Sequence, residues 1–224
     1  MQLALALGRR GQGQTAPNPA VGCVIVRDDR IVGRGWTQAG GRPHAETVAL
    51  AQAGYVARGA TVYVTLEPCA HHGKTPPCAE ALIAAGVGRV VIAVLDSDPR
   101  VDGAGVAALR RAGIDVDVGR CADQAYTDLA GFFLKTEQGR PFVTLKLASS
   151  FDGRIATGTG ESQWITGAEA RRVVHAMRAR HDAVMVGGGT ARHDDPSLNV
   201  RGLGELPQPA RVVVSRRLDL PLLG

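Results

Sequence analysis

The sequence lacks any apolar run that could cross a membrane. Within its 224 residues, no stretch approaches the roughly 18 consecutive apolar residues that a spanning helix requires. The run Met1–Leu7 is too short for the apolar core of a signal peptide, and its basic neighbours Arg9 and Arg10 follow it instead of preceding it. These absences exclude an integral membrane protein and argue against secretion. We therefore expect a cytoplasmic protein whose thiols are reduced.

Aromatic residues and clusters of basic charge are also scarce. Phe, Trp and Tyr make up 4% of the chain, and the Lys and Arg residues behind the net charge of +5 are scattered along it. A nucleic-acid channel normally combines a basic stripe with aromatic side chains that stack on bases. We therefore expect no nucleic-acid partner, and we expect the positive charge to attract a phosphorylated small molecule.

Cysteines are few, but two of the four are placed for metal chemistry. Cys23 lies in the apolar run Val21–Val26 and is expected to be a buried small hydrophobe, and Cys121 has no partner pattern. His44, Cys69 and Cys78, in contrast, form a three-ligand zinc set that leaves the fourth tetrahedral position open for water. The open position favours catalysis over a purely structural role.

Glu46 lies two residues after His44 and is not counted as a ligand. A carboxylate in that position can take a proton from a zinc-activated water and pass it to a leaving group. The pattern H-x-E followed by P-C-x-x-C is the signature of zinc deaminases. This sequence departs from it, because eight residues instead of two separate Cys69 from Cys78.

Two loops near this set allow more than one interpretation. Asn18, between Pro17 and Pro19, is either part of a stiff connector or presents its amide to a ligand. The insertion between the cysteines could place His71, Lys74 and Thr75 over the substrate. Alternatively, His71 and the adjacent His72 could bind a second metal, although the zinc set is already complete without them.

Hydrophobic periodicity predicts alternating strands and helices, which is typical of a layered α/β protein. Predicted strands are 21–26, 31–35, 61–65, 90–95, 114–118, 142–148, 183–186 and 210–215, and predicted helices are 3–7, 44–53, 78–85, 106–111 and 168–180. His44 and Glu46 then lie in the first turn of a helix, where the helix dipole favours an ionised carboxylate. Asp96–Pro99 follows a strand and either lines the pocket or turns the chain.

The chain resembles the family of bifunctional riboflavin-biosynthesis deaminase–reductases (the RibD family). The matching runs are Pro17–Gly22, His44–Glu46, Val62–Cys69 and His71–Cys78, and the family has the same long gap between its two cysteines. The resemblance implies a cytidine-deaminase-like three-layer α/β/α domain over residues 1–139. That domain would hydrolytically deaminate 2,5-diamino-6-ribosylamino-4(3H)-pyrimidinone 5′-phosphate with release of ammonia. It implies His44, Cys69 and Cys78 as zinc ligands, Glu46 as proton shuttle, and Asn18, His71 and Lys74 as substrate contacts.

The second half begins where Gly139-Arg140-Pro141 interrupts the pattern. Gly187–Thr190 follows a predicted strand, and such a run lets backbone N–H groups approach a phosphate, although glycine-rich turns are common. The resemblance assigns residues 140–224 to the N-terminal part of an NADPH-dependent reductase domain with a dihydrofolate-reductase-like fold. In the family this domain reduces the ribose of the deaminated product to ribitol. The matching positions imply NADP contacts from Ala148, Trp164, Thr190, Asp194 and Ser215, substrate contacts from Ser162, Arg178, Leu198 and Arg201, and further pocket positions at Lys146 and Asp195.

The relatives continue beyond Gly224 with more strands and another glycine-rich NADP segment, so we expect an incomplete reductase domain with impaired activity. Unpaired sheet edges and the resemblance both suggest a homo-oligomer. Two alternatives stay open at this point. The chain could be a zinc deaminase for another base or nucleotide whose C-terminal part is only structural. It could also be a binding protein with structural zinc, although such a site has no use for Glu46.

Overall fold

The computed structural model describes residues 1–72 and 76–219. The chain divides into two compact units, Met1–Phe142 and Val143–Gly224. The first unit contains, in order, α1 (Gln2–Gly8), β1 (Gly22–Arg27), β2 (Arg30–Trp36), α2 (Ala45–Ala53), β3 (Thr61–Val64), α3 (Cys78–Ala85), β4 (Arg89–Ile92), α4 (Ala104–Arg111), β5 (Asp115–Val118), α5 (Ala122–Asp128) and α6 (Ala130–Gln138). Short 3-10 turns lie at Arg9–Gly11, Ala39–Gly41 and Gly54–Ala57.

The strands of the first unit form one sheet in the order β2-β1-β3-β4-β5. Strand β1 pairs antiparallel with both β2 and β3, whereas β3, β4 and β5 run parallel. Parallel neighbours need a crossover, which α3 and α4 supply. Because β3 and β4 point the same way, the segments that follow them lie at the same edge of the sheet. The α/β architecture predicted from periodicity is confirmed.

Alternate residues of the central strands are buried on opposite faces of the sheet, as period-two strands require. On one face, Val24 packs with Ala4 and Leu7 of α1. On the other face, Ile25, Val62 and Ile92 belong to a larger apolar cluster. That cluster also contains Ala49 of α2, Leu82 of α3 and Leu109 of α4. Cys23 is fully buried in the same cluster, in agreement with its expected structural role.

Two glycines on β2 allow α2 to lie directly on the sheet. A Cβ atom at Gly33 would lie 2.3 Å from the Ala49 carbonyl oxygen, and one at Gly35 would lie 2.1 Å from the Ala45 carbonyl oxygen. Neither distance leaves room for a side chain. The close approach fixes the first turn of α2 against the strand, immediately after His44.

The second unit contains α7 (Ala168–Ala179), β6 (Ala183–Gly187), α8 (Gly188–Asp194) and β7 (Ala210–Val214). Strands β6 and β7 pair in parallel. The prediction of a strand at 142–148 is wrong: this segment has no regular structure, and Val143, Leu145 and Leu147 are exposed. A strand needs a neighbour to receive its backbone hydrogen bonds, and the described residues provide none here. No helix within residues 1–72 and 76–219 combines the length and apolar character needed to cross a bilayer.

Candidate active site

The start of α2 positions two of the predicted site residues. His44 is the N-cap of this helix in an extended conformation, and Glu46 lies in the first turn with 3% of its surface exposed. Burial raises the pKa of Glu46 to about 7, with a further contribution from the negative charge on Cys69. The helix dipole was expected to favour an ionised carboxylate here, but the effect of burial is larger and raises the pKa. A pKa near neutrality suits a group that must both accept and donate a proton.

The two cysteines lie on neighbouring segments at the ends of one loop. Cys69 follows β3, and Cys78 is the first residue of α3. The Ala79 N–H donates to the Cys69 carbonyl oxygen at 3.1 Å, and the Cys78 N–H donates to the Cys69 sulfur at 3.3 Å. These bonds hold the two ends of the loop together, so the long spacing in sequence becomes a short distance in space.

The imidazole of His44 completes a group of three metal-ligating atoms. Its Nδ1 lies 3.7 Å from the Cys69 sulfur and 3.3 Å from the Cys78 sulfur, and the three ligand atoms all lie within 4.8 Å of one another. In a tetrahedral zinc site with ordinary bond lengths, the nitrogen and each sulfur are about 3.5 Å apart. The donor set and its spacing therefore fit a zinc ion without rearrangement of the backbone.

The interaction between the two sulfurs shifts their pKa values in opposite directions. A hydrogen bond with the Cys78 side chain lowers the pKa of Cys69 to about 4, and the same interaction raises the pKa of Cys78. These opposite shifts favour the thiolate form of Cys69 over that of Cys78. Metal binding to both sulfurs releases the remaining proton, which makes the affinity of such a site dependent on pH.

A pocket opens beside this group and brings most of the predicted residues of the first unit together. Asn18, His44, Glu46, Cys69 and His71 all line it. The Asn18 Nδ2 donates to the Gly41 carbonyl oxygen at 2.8 Å and lies 3.4 Å from His44 Nε2.

The segment between the two cysteines is only partly described. The Nδ1 atom of His71 is buried and has no hydrogen-bond partner among the described residues. Lys74 and Thr75 lie outside the described residues. The alternative of a second metal at His71 and His72 finds no support within 1–72 and 76–219, where these residues join no other ligand set.

Several residues of the pocket were not predicted. Glu67, Arg42, Arg100 and Phe132 line it, together with Asp96 and Asp98, for which two roles had been left open. Burial raises the pKa of Asp96 to about 6, whereas hydrogen bonds from Arg100 lower the pKa of Asp98 to about 2. An acidic residue soon after an apolar strand, as at Glu67 three positions beyond the end of β3, is the sequence signal that could have identified part of this wall.

In the second unit, the predicted residues fall into three groups. Thr190 and Asp194 lie on α8, directly after β6, and Ser215 follows the neighbouring β7. A Cβ atom at Gly188 would lie 2.9 Å from the Ser215 Oγ, so these two strand ends are in contact. Such a position beside the carboxyl ends of parallel strands is where α/β sheets bind ligands. Asp195, the further pocket position, caps the end of α8.

The second group surrounds Asn199. The Arg178 guanidinium donates to the Asn199 carbonyl oxygen at 3.0 Å, the Arg201 guanidinium lies 3.3 Å from its side-chain oxygen, and Leu198 is buried. The proximity of Arg201 adds to burial in lowering the pKa of Arg178. Two guanidinium groups held this close create a position that an anion would stabilise.

The third group lies in the irregular segment before α7. Trp164 is exposed and stacks under the Arg171 guanidinium, 4.3 Å from the ring centroid. Lys146 and Ser162 are exposed and Ala148 is half-buried. Among the described residues, no hydrogen bond joins Ala148 or Ser162 to either of the other groups.

Comparison with known families finds one match in each of the two units. Residues 1–94 match the family described as the cytidine and deoxycytidylate deaminase zinc-binding region, and residues 141–224 match the RibD C-terminal domain. All three metal-ligating residues and Glu46 fall within the first match. These residues therefore lie in a segment that is similar to the zinc-binding region of cytidine and deoxycytidylate deaminases.

Individual relatives extend this similarity along the chain. The riboflavin biosynthesis protein RibD of Aquifex aeolicus is 50% identical over 222 residues, which cover 99% of this chain and 62% of that protein. The RibD protein of Escherichia coli is 52% identical over 201 residues, with 90% and 55% covered. The chain thus spans less than two thirds of the length of these relatives.

Solved structures of RibD proteins are also similar to this chain along most of its length. One form of Acinetobacter baumannii RibD superposes with a TM-score of 0.90 at 52% identity and covers 99% of this chain and 64% of that one. A second solved structure is the diaminohydroxyphosphoribosylaminopyrimidine deaminase/5-amino-6-(5-phosphoribosylamino)uracil reductase of Thermotoga maritima. It superposes with a TM-score of 0.89 at 44% identity, with 95% and 61% of the two chains covered.

Proposed function

Because the chain is a RibD-like protein, we propose that its first unit is an aminopyrimidine deaminase of riboflavin biosynthesis. The proposed substrate is 2,5-diamino-6-ribosylamino-4(3H)-pyrimidinone 5′-phosphate, which loses one exocyclic amine as ammonia. The observation that carries this proposal is the geometry of His44, Cys69 and Cys78, whose ligand atoms lie within 4.8 Å of one another beside the buried Glu46. A deaminase domain at 1–139 is part of the proposal.

His44 Nδ1 and the sulfurs of Cys69 and Cys78 would hold the zinc ion. When bound there, zinc acts as a Lewis acid and lowers the pKa of a coordinated water towards neutrality. Glu46 accepts a proton at its carboxylate and delivers it to the exocyclic nitrogen that departs as ammonia. Its burial supports this role, because a carboxyl with a pKa of about 7 exchanges protons readily at neutral pH.

The remaining groups of the pocket bind and orient the pyrimidine. The buried Nδ1 of His71 has no partner among the described residues, which supports its assignment as a substrate contact. Asn18 lies at the pocket with its amide fixed by Gly41, and Lys74 is proposed as a further contact by resemblance alone.

We further propose that residues 140–224 form the first part of an NADPH-dependent reductase domain that acts on the deaminated product. The contacts around Ser215 and Asn199 support the positions assigned to NADP and to the substrate phosphate. NADPH supplies a hydride when it is bound, and the chain's own residues serve to hold and orient it. Cytoplasmic location, assembly into homo-oligomers and the absence of a nucleic-acid partner belong to the same proposal.

Ammonia release from the phosphorylated pyrimidine tests the deaminase directly. Glu46→Gln should lower kcat by at least a thousandfold while the protein retains one zinc per chain, because the amide keeps the size of the side chain but cannot accept the proton. Glu137→Gln, which removes an exposed carboxylate on α6, is the matched control and should leave kcat unchanged. Deamination at the parent rate by the Glu46 variant would disprove the assigned role.

A further inference from the structure

Glu67 is a buried carboxylate that the proposed mechanism does not use. It lies two residues before Cys69 and is 3% exposed. Its oxygens accept three hydrogen bonds, all from main-chain N–H groups of one distant segment. Asp96 N and Gly103 N donate to Oε2 at 3.3 and 3.1 Å, and Val106 N donates to Oε1 at 3.0 Å. Burial of a carboxylate is costly unless hydrogen bonds replace its water, so these bonds stabilise a specific arrangement.

Two of the bonds cap helix α4 from outside the helix. The first N–H groups of a helix have no partner within it and are normally satisfied by the side chain of the N-cap residue. Here the N-cap is Gly103, which has no side chain to offer, and the first turn of α4 contains no acidic residue. Glu67 satisfies these groups instead, and its charge suits the positive end of the helix dipole.

The first turn of α4 also lies directly on the peptide that precedes Cys69. A Cβ atom at Gly105 would lie 2.1 Å from the Pro68 carbonyl oxygen and 3.1 Å from Glu67 Oε1. A side chain at Gly105 would therefore separate α4 from the segment that carries the metal ligand. The helix start and the Cys69 segment form one packed unit.

The third bond, from Asp96 N, means that both ends of one loop donate hydrogen bonds to the same oxygen atom. Asp96 and Gly103 bracket the loop 96–103, and both of their N–H groups donate to Oε2 of Glu67. Between them, Arg100 Nε donates to Asp98 Oδ1 at 2.9 Å. Asp96, Asp98 and Arg100 line the same pocket as Glu46. The carboxylate therefore controls the position of one wall of that pocket.

We propose that Glu67 is a positioning residue of the deaminase site, which clamps the loop 96–103 and so holds a substrate-binding wall in place. This inference rests on the proposed function. The wall contacts parts of the substrate that do not react, so its loss weakens binding of the ground state and the transition state alike. Such a loss raises KM and leaves kcat nearly unchanged.

The test compares Glu67→Gln with the parent 224-residue chain. The amide places N–H donors where the carboxylate accepts, so at least one of the three main-chain donors loses its partner. We expect KM for the phosphorylated pyrimidine to rise at least tenfold, with kcat within threefold and one zinc per chain retained. Hydrogen exchange at the amides of Asp96, Gly103 and Val106 should accelerate at least tenfold. Glu137→Gln, which removes an exposed carboxylate, should change neither KM nor these exchange rates.

Glu67→Asp provides the second variant if the glutamine protein does not fold. The shorter side chain keeps the charge but cannot reach both ends of the loop. We therefore expect a smaller rise in KM and a smaller acceleration of amide exchange than in the glutamine variant. A KM within twofold of the parent, a fall in kcat at constant KM, or unchanged amide exchange overturns the proposal. A parent chain that releases no ammonia overturns the proposed function instead, and the exchange rates then decide separately whether the clamp exists.

Discussion

The close approach of α2 to β2 predicts that Gly35→Ala damages both the stability of the first unit and its metal site. The added Cβ atom would lie 2.1 Å from the Ala45 carbonyl oxygen and 2.7 Å from the Ala49 nitrogen. Both neighbours are main-chain atoms, so neither can rotate away as a side-chain end could. The start of the helix must therefore move off the sheet.

The size of that movement follows from ordinary contact distances. A carbon and an oxygen that are not bonded approach to about 3.2 Å, so the start of α2 must shift by about 1 Å. Overpacking of this kind costs about 1–3 kcal/mol, and rigid backbone contacts place it near the upper end. His44 and Glu46 move with the helix, and an error of this size in a catalytic group can reduce the rate about a hundredfold.

Three measurements test these consequences. They are urea unfolding monitored by circular dichroism, titration with zinc, and an assay of ammonia release. We expect Gly35→Ala to lower the unfolding free energy by about 3 kcal/mol, to weaken zinc binding and to reduce the deamination rate. Gly131→Ala on the exposed side of α6 is the control. Its new Cβ atom would meet only Phe142 Cβ at 3.6 Å, so it should be neutral or stabilise by up to about 1 kcal/mol. A Gly35 variant with the parent's stability and zinc affinity would refute the reasoning.

Two further predictions concern charge and metal. Asp98 has its pKa lowered to about 2 by Arg100, so it contributes stability above the unfolded pKa of about 4 that is lost as the pH falls towards 2. The contribution is small because the Arg100 side chain of this pair is exposed to solvent. The difference in unfolding free energy between the parent and Asp98→Asn should shrink to zero over that range, and a constant difference would contradict this linkage. Separately, zinc at a hundredfold excess over its Kd stabilises by about 2.7 kcal/mol, so a chelator should lower the Tm of the first unit by about 8 °C. Cys69→Ser should abolish this shift, and an equal shift in the variant would place the metal elsewhere.

The metal-ligating group was predictable because chemistry restricts it to few residue types. His44, Cys69 and Cys78 each lie at the junction of a predicted strand or helix, and the resemblance explained the long gap between the cysteines. The structure brings the three ligand atoms together as expected. Their use of zinc and the role of Glu46 remain predictions for experiment.

The pocket wall was harder to predict, because it depends on contacts between distant segments. Glu67 was visible only as part of a run before Cys69, and nothing local indicates that it caps a helix beginning at Ala104. Arg42 and Phe132 likewise reach the pocket through the fold and carry no recognisable spacing. The prediction of a strand at 142–148 was wrong for a different reason. Its local pattern favours a strand, but pairing requires a neighbour that the described residues do not supply.

X-ray absorption at the zinc edge of the metal-loaded chain tests the central claim most directly. Ligation by His44, Cys69 and Cys78 with one open position predicts two sulfur atoms at about 2.3 Å and two nitrogen or oxygen atoms at about 2.0 Å. Cys78→Ser should reduce the sulfur count to one. A shell of four sulfurs, a shell without sulfur, or an unchanged spectrum in the variant would contradict a three-ligand site at this position.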